Sequence, residues 1–176
     1  MSSRVIGDAA LFQFLEKNME KVLRREHSAL AFVIERSIAQ KARVVSKDER
    51  ESGLREILNF GHTFAHALES ATRYRKFLHG EAVAWGMKAA AILSEREGML
   101  ACADGQEIVQ CVNSYGPFPT VAGIDPARLA GRLKSDKKTV KGKIHFVLPE
   151  RIGAVKIRAD VDERSVLAAI EEALSC

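Results

Sequence analysis

The chain has 176 residues, 47% apolar and 28% charged, the balance of an ordinary globular domain, which excludes a disordered tail, a collagen-like repeat and a disulfide-stapled miniprotein. A net charge of +4 suits a small anionic ligand and is too mild to demand nucleic acid. No apolar run approaches the roughly 20 residues of a membrane span, MSSRVIGDAA has no signal-peptide pattern, and Cys102, Cys111 and Cys176 stand at unpatterned spacings that read as reduced thiols in a cytoplasm.

Asp8 predicts the cap of a first helix carrying Leu11, Phe12, Phe14, Leu15 and Met19, which frays near Arg24-Arg25-Glu26. A second helix places Leu30, Val33, Ile34, Ile38 and Val45 on one stripe and ends near Lys47-Asp48-Glu49-Arg50-Glu51. Gly53 separates it from a third helix over 54–71, and a fourth runs over 80–97 with Gly98 as its stop. A fifth covers 106–113 until Gly116-Pro117-Phe118-Pro119 breaks it, and Asp125-Pro126 opens another short helix, since proline is welcome in a first turn. Residues 143–148 and 154–158 alternate like strands around a turn at 149–153, which reads as a hairpin. Asp162 then caps a terminal helix with Val166, Leu167, Ile170 and Leu174. The expected class is mainly α, a multi-helix domain with a small β-hairpin near the C-terminus.

The third helix carries the first chemical signal. At about 100° per residue, Ile57, Phe60, Phe64 and Leu68 line one side, and Arg55, Asn59, His62 and His66 fall on the other, within about 60° of each other. A solvent face usually offers Lys and Glu; a guanidinium, an amide and two imidazoles bind anions and metals and exchange protons near neutral pH. Two histidines on a surface helix also arise with no function at all. His79-Gly80-Glu81 opens the next helix, where the positive end of the dipole favours a neutral imidazole with a free lone pair. Lys41 lies on the apolar stripe of the second helix and either snorkels to water or points its ammonium into a ligand cavity. Lys134, Lys137, Lys138, Lys141 and Lys143 crowd the approach to the hairpin, a solvated charge run or a phosphate contact. Such a set suits zinc and similar divalent ions, but it looks unfinished, because no nearby carboxylate offers itself as a further ligand. None of the twelve glycines forms a G-x-G-x-x-G or P-loop cradle.

Three segments give a family resemblance: KARVVSKDERESGLREILNFGHTFAHALE (41–69), HGEAVAWGM (79–87) and DKKTVKGKIHFVLPERIG (136–153). They resemble the 3-dehydroquinate synthase family, in the right order and over 5–176. The resemblance implies the helical, metal- and substrate-binding C-terminal domain of that enzyme. It implies that His62 and His79 are two of three protein ligands to Zn2+ or Co2+, and that His66 acts in catalysis near the phosphate and the proton transfers. By the same likeness Lys41 joins the catalytic set, and Lys41, Arg55, Asn59 and a lysine of the Asp136-Lys137-Lys138 run hold an anionic sugar-acid phosphate. The family is a phosphorus-oxygen lyase of the shikimate route to aromatic amino acids. It converts the seven-carbon keto-sugar-acid phosphate DAHP to 3-dehydroquinate with NAD+ and a divalent metal, works as a homodimer in the cytoplasm, and involves neither nucleic acid nor membrane.

Two departures are expected. The family's N-terminal NAD-binding domain has no counterpart in these residues, and no cofactor-binding residue for NAD+ is assigned. The third metal ligand, a glutamate in an A-E-x-x-K segment, belongs just before Val5-Ile6-Gly7-Asp8, where Met1-Ser2-Ser3-Arg4 stand. The 176 residues alone are therefore expected to lack synthase activity and to bind metal weakly. The alternatives are another sugar phosphate cyclase, whose members share the GHTFxH type of stripe, and a helical module that binds a metal or anion without chemistry. Nucleic-acid contact through 134–143 ranks last, for want of aromatics and of a recognised motif.

Overall fold

The computed structural model describes residues 7–48, 54–137 and 143–175, with backbone alone at 54 and 135–137. Among them eight α-helices and one hairpin follow in order. They are α1 (Ala9–Lys17), α2 (Met19–Leu23), α3 (His27–Lys47), a 3-10 turn (Leu54–Asn59), α4 (His62–Ala71), α5 (His79–Arg96), α6 (Cys102–Asn113), α7 (Pro126–Lys137), β1 (Phe146–Arg151), β2 (Ala154–Arg158) and α8 (Glu163–Ser175). The expected class holds. No helix among the described residues is long and apolar enough to cross a membrane.

Helix α5 organises the rest. Every residue from 82 to 94 along it is buried, and a helix buried on all sides needs neighbours on all sides. Helices α4, α6 and α8 and strand β1 supply them, brought close by the small surfaces of Ala82, Ala84, Ala89, Ala90 and Ala91. Phe64 of α4 meets Trp85 edge-on at 6.4 Å and Phe146 of β1 at 5.3 Å. The Trp85 indole N–H donates to the Ala173 carbonyl of α8 at 3.0 Å, and the Ser94 hydroxyl donates to the Pro149 carbonyl of β1. Phe60, Phe64, Leu68, Met87 and Leu93 are fully buried, each contributing about 1.5–3 kcal/mol of hydrophobic stabilisation.

Contact between α4 and α5 is closest where two glycines face each other. A Cβ on Gly86 would drive into the Gly61 carbonyl oxygen and stand 3.0 Å from the Ala65 nitrogen. A Cβ on Gly61 would lie 2.7 Å from the Met87 nitrogen and 2.9 Å from the Val83 oxygen. Gly61 also has φ +81°, a left-handed conformation that favours glycine. The helix expected over 54–71 is therefore broken: a 3-10 turn ends at Asn59, the backbone turns at Gly61, and α4 starts afresh at His62.

Two other expectations need correcting. Ile34 and Ile38, placed on the buried stripe of the second helix, are 54% and 64% exposed, and Lys41 is exposed with them. The buried stripe is Ala29, Val33, Gln40 and Val44, from which the other three lie about 60–180° around the helix. Val33 packs with Leu11 and Leu15 in a small second core at the N-terminal end, and α3 also meets the 3-10 turn; these neighbours chose between two apolar stripes. The first helix is interrupted at Asn18, whose side-chain amide donates to the Phe14 carbonyl at 2.9 Å, and α2 carries it on to Leu23.

Elsewhere the differences are of boundary. Helix α6 begins four residues earlier than expected, at Cys102. The hairpin pairs Phe146 with Arg158 through to Arg151 with Ala154, around Gly153 at φ +85°; 143–145 precede the ladder because no partner continues past Arg158. Asp162 caps α8, its Oδ1 accepting from the Arg164 N–H at 2.8 Å.

Asp8 both caps α1 and joins it to α3. Its Oδ1 accepts from the Leu11 N–H at 3.0 Å, and the Arg36 guanidinium donates to both carboxylate oxygens at 2.7 and 2.8 Å. Burial acts to raise its pKa, but the Arg36 hydrogen bonds and the Leu11 N–H outweigh it and hold the carboxyl below its ordinary 3.8. Such a group stabilises the fold above its unfolded pKa and loses that contribution as pH falls through the folded one. Asp8→Ala is expected to lower stability by about 1–2 kcal/mol near neutral pH, a deficit that shrinks in denaturation curves run at about pH 2.5. Gly86→Ala is expected to cost about 1–3 kcal/mol by overpacking against the Gly61 carbonyl, read in the same experiment.

Candidate metal centre

Helix α4 begins with His62, directly after the left-handed Gly61. The Thr63 hydroxyl donates to the His145 carbonyl at 2.9 Å, tying this first turn to the segment that enters β1. The apolar face of the helix, Phe64, Ala67 and Leu68, is buried, while His62 is half-buried and His66 exposed. The chain then turns back through Arg73 and Tyr74, both at φ +56°, with the Tyr74 N–H donating to the Glu69 carbonyl at 2.7 Å. It enters α5 at His79, where Glu81 accepts the Leu78 N–H at 2.8 Å and closes the first turn. The two helix starts lie side by side.

Three imidazoles meet there. Ring centroids are 5.4 Å apart for His62 and His79, 6.1 Å for His62 and His66, and 6.1 Å for His66 and His79. His62 Nδ1 faces the Phe60 carbonyl at 3.3 Å and His79 Nδ1 faces Glu69 Oε1 at 3.1 Å; as donors to these oxygens, both rings keep Nε2 free as an acceptor. Burial lowers the His62 pKa below its ordinary 6.5, assisted by the neighbouring His79 and His66 and opposed by the carbonyls of Phe60 and Asn59. A neutral ring with an open lone pair is the form that binds a metal.

The donor set fits a divalent ion. One ligand atom each from His66, Glu69 and His79 lies within 4.8 Å of the others, against the roughly 3.3 Å separating donors on a tetrahedral zinc; His62 is not part of this group, and its ring stands beside it. Glu69, 7% exposed, went unforeseen in the sequence, and it brings a carboxylate into the histidine cluster, engaged with His79 Nδ1 at 3.1 Å. Its signal was the spacing His66-x-x-Glu69, which turns both side chains to one side of a helix.

The remaining site candidates stand on other elements. Arg55 lies half-buried in the 3-10 turn, its backbone N–H donating to Asp48 Oδ2 at 3.0 Å. Asn59 is exposed at the end of that turn, and Lys41 is exposed on α3. The single four-residue stripe is thus divided at Gly61, with the imidazoles on α4 and the guanidinium and amide before it. Lys137 ends α7, with its backbone alone described, and Lys138 lies outside the described residues. Lys134 pairs with Glu163 at 2.7 Å.

Residues 2–139 match the family model for the 3-dehydroquinate synthase C-terminal domain. The chain belongs to that family. It is 48% identical over 171 residues to a 3-dehydroquinate synthase of Solibacter usitatus (strain Ellin6076), covering 97% of the chain and 48% of the relative. It is 44% identical to one of Koribacter versatilis (strain Ellin345), covering 96% and 46%. The chain spans about half the length of the curated relatives it matches. Among solved structures it resembles ValA, a 2-epi-5-epi-valiolone synthase from Streptomyces hygroscopicus subsp. jinggangensis 5008 with NAD+ and Zn2+ bound. The TM-score is 0.86 at 26% identity, over 99% of the chain and 49% of that structure. A 2-deoxy-scyllo-inosose synthase complexed with carbaglucose-6-phosphate, NAD+ and Co2+ matches with TM-score 0.69 at 25% identity, over 82% of the chain and 41% of that structure.

Titrating the 176-residue chain with Zn2+ in a calorimeter is expected to give saturable binding that His62→Ala and His79→Ala each weaken on the order of 100-fold, as loss of a ligand should exceed the 10–100-fold cost of losing its support. Binding untouched by both substitutions would show that the imidazoles do not share the ion.

Proposed function

We propose that this chain is the metal- and substrate-binding part of a 3-dehydroquinate synthase, which converts DAHP to 3-dehydroquinate and phosphate in the shikimate route. The observation that carries the reading is the meeting of His62 and His79, from two helix starts, with ring centroids 5.4 Å apart. The likeness to curated synthases at 44–48% identity favours this activity over that of the solved cyclases, at 25–26%.

His62 and His79 are the proposed holders of a Zn2+ or Co2+ ion, each with Nε2 directed away from an oxygen that engages Nδ1. When bound, the ion polarises a substrate hydroxyl as a Lewis acid and NAD+ takes and returns a hydride. His66, exposed beside both rings, moves protons at a ring nitrogen, a role that needs access to substrate rather than burial. Arg55, Asn59, Lys41 and a lysine of the pair Lys137 and Lys138 bind the carboxylate and phosphate of the sugar acid, the guanidinium by paired hydrogen bonds and the ammonium groups as point charges. NAD+ is assigned to the portion of the relatives that this chain does not cover, so residues 5–176 form one domain of a two-domain enzyme. A cytoplasmic homodimer is the proposed setting.

The test joins the 176 residues to the nucleotide-binding part of the Solibacter relative and supplies NAD+ and Zn2+. DAHP is expected to release phosphate with the hybrid and not with the 176 residues alone. His66→Ala is expected to lower kcat by about 10²–10⁴, the usual worth of a positioned acid or base. Turnover of a hexose phosphate in place of DAHP would assign the chain to another sugar phosphate cyclase; zinc binding with neither turnover would leave a non-catalytic module.

A further inference from the structure

Glu69 is a carboxylate with 7% exposure at the end of α4, and a buried carboxylate is costly unless it is paired. Its partner is His79, Oε1 to Nδ1 at 3.1 Å, across the turn between α4 and α5. Glu69 stands seven residues after His62, two helical turns on, so His62, His66 and Glu69 share one face. Its backbone is pinned as well, the Tyr74 N–H and the Thr72 hydroxyl both donating to its carbonyl. The side chain of His79 is otherwise open to solvent, at 57% exposure, and an exposed imidazole with no anchor samples several rotamers and both tautomers.

We propose that Glu69 is a positioning residue for His79. The carboxylate only accepts, so it holds the proton on Nδ1 and turns the Nε2 lone pair toward the ion shared with His62, which rests on the metal reading above. Carboxylate support of this kind fixes the ligand tautomer and raises its basicity. His62 has the same arrangement with a backbone oxygen, the Phe60 carbonyl. One ligand is therefore set by the backbone of the break at Gly61, and the other by a replaceable side chain.

The experiment compares wild type, Glu69→Gln and Glu69→Ala in two readouts. In the metal-free chain, nitrogen NMR of the histidine rings at about pH 8.5, two units above the ordinary imidazole pKa, is expected to find the His79 proton on Nδ1 in wild type. The Gln variant, whose amide oxygen still accepts, keeps it there; the Ala variant moves it toward Nε2. In Co2+ titrations the Ala variant is expected to bind 10–100-fold more weakly, the Gln variant to stay closer to wild type, and the visible bands to keep their positions in all three. An unchanged tautomer in both variants overturns the proposal. So do bands that shift in position and intensity in the Gln variant, which would make Glu69 a ligand of the ion. A wild-type chain that takes up no Co2+ while the tautomer still follows residue 69 sinks the metal reading and leaves the positioning of His79 standing. If the Ala variant fails to fold, Glu69→Leu, which fills similar space and offers no acceptor, carries the same expectation, and an unmoved His79 tautomer in it overturns the proposal.

Discussion

Everything at the histidine cluster depends on how closely two backbones approach. Gly61 and Gly86 let the start of α4 press against the middle of α5 with no side chain between them, and close packing makes that separation hard to change by even one methyl group. His62 is the next residue after Gly61, and His79 lies about two helical turns before Gly86. The glycine contact therefore sets both the distance between the helices and their offset along the axis. The 5.4 Å between the two rings is a product of that contact.

Burial then divides the labour along each helix. Helix α5 has no free face from 82 to 94, so only its two ends reach the surface: His79, Gly80 and the half-buried Glu81 at the start, Glu95 and Arg96 at the finish. Helix α4 is two-faced, with Phe64 and Leu68 inward and His62 and His66 outward. Glu69 sits at the edge between the faces, where a carboxylate is sheltered enough to hold a neighbouring ring and close enough to reach it. A rigid core thus carries its chemistry at helix starts, where side chains are positioned without being covered.

Local features were legible in the sequence and long-range ones were not. The Asp8 and Asp162 caps, the Gly98 stop and the Pro126 start appear as expected, because each depends on a few neighbouring residues. The break at Gly61 did not announce itself: one glycine in a helical pattern costs only about 1 kcal/mol, and the residue it packs against, Gly86, lies twenty-five residues further on. On α3 the heptad-like run offered two apolar stripes, and the choice fell to Leu11 and Leu15 on a different helix. His62, His66 and His79 were legible as a set from their residue types and the motifs around them. Glu69 was hidden because its purpose depends on a ring ten residues away, across a turn that sequence spacing does not reveal.

Trp85 is the chain's single tryptophan. It is 5% exposed, hydrogen-bonded to the last turns of α8 and edge-on to Phe64 of α4. Its indole therefore touches the helix that carries His62 and His66, rides on the one that carries His79, and is anchored to the C-terminal segment. The protein contains its own optical gauge: loosening of either end of this assembly lets water reach one fluorophore and shifts its emission to the red, whether or not a cation is in place.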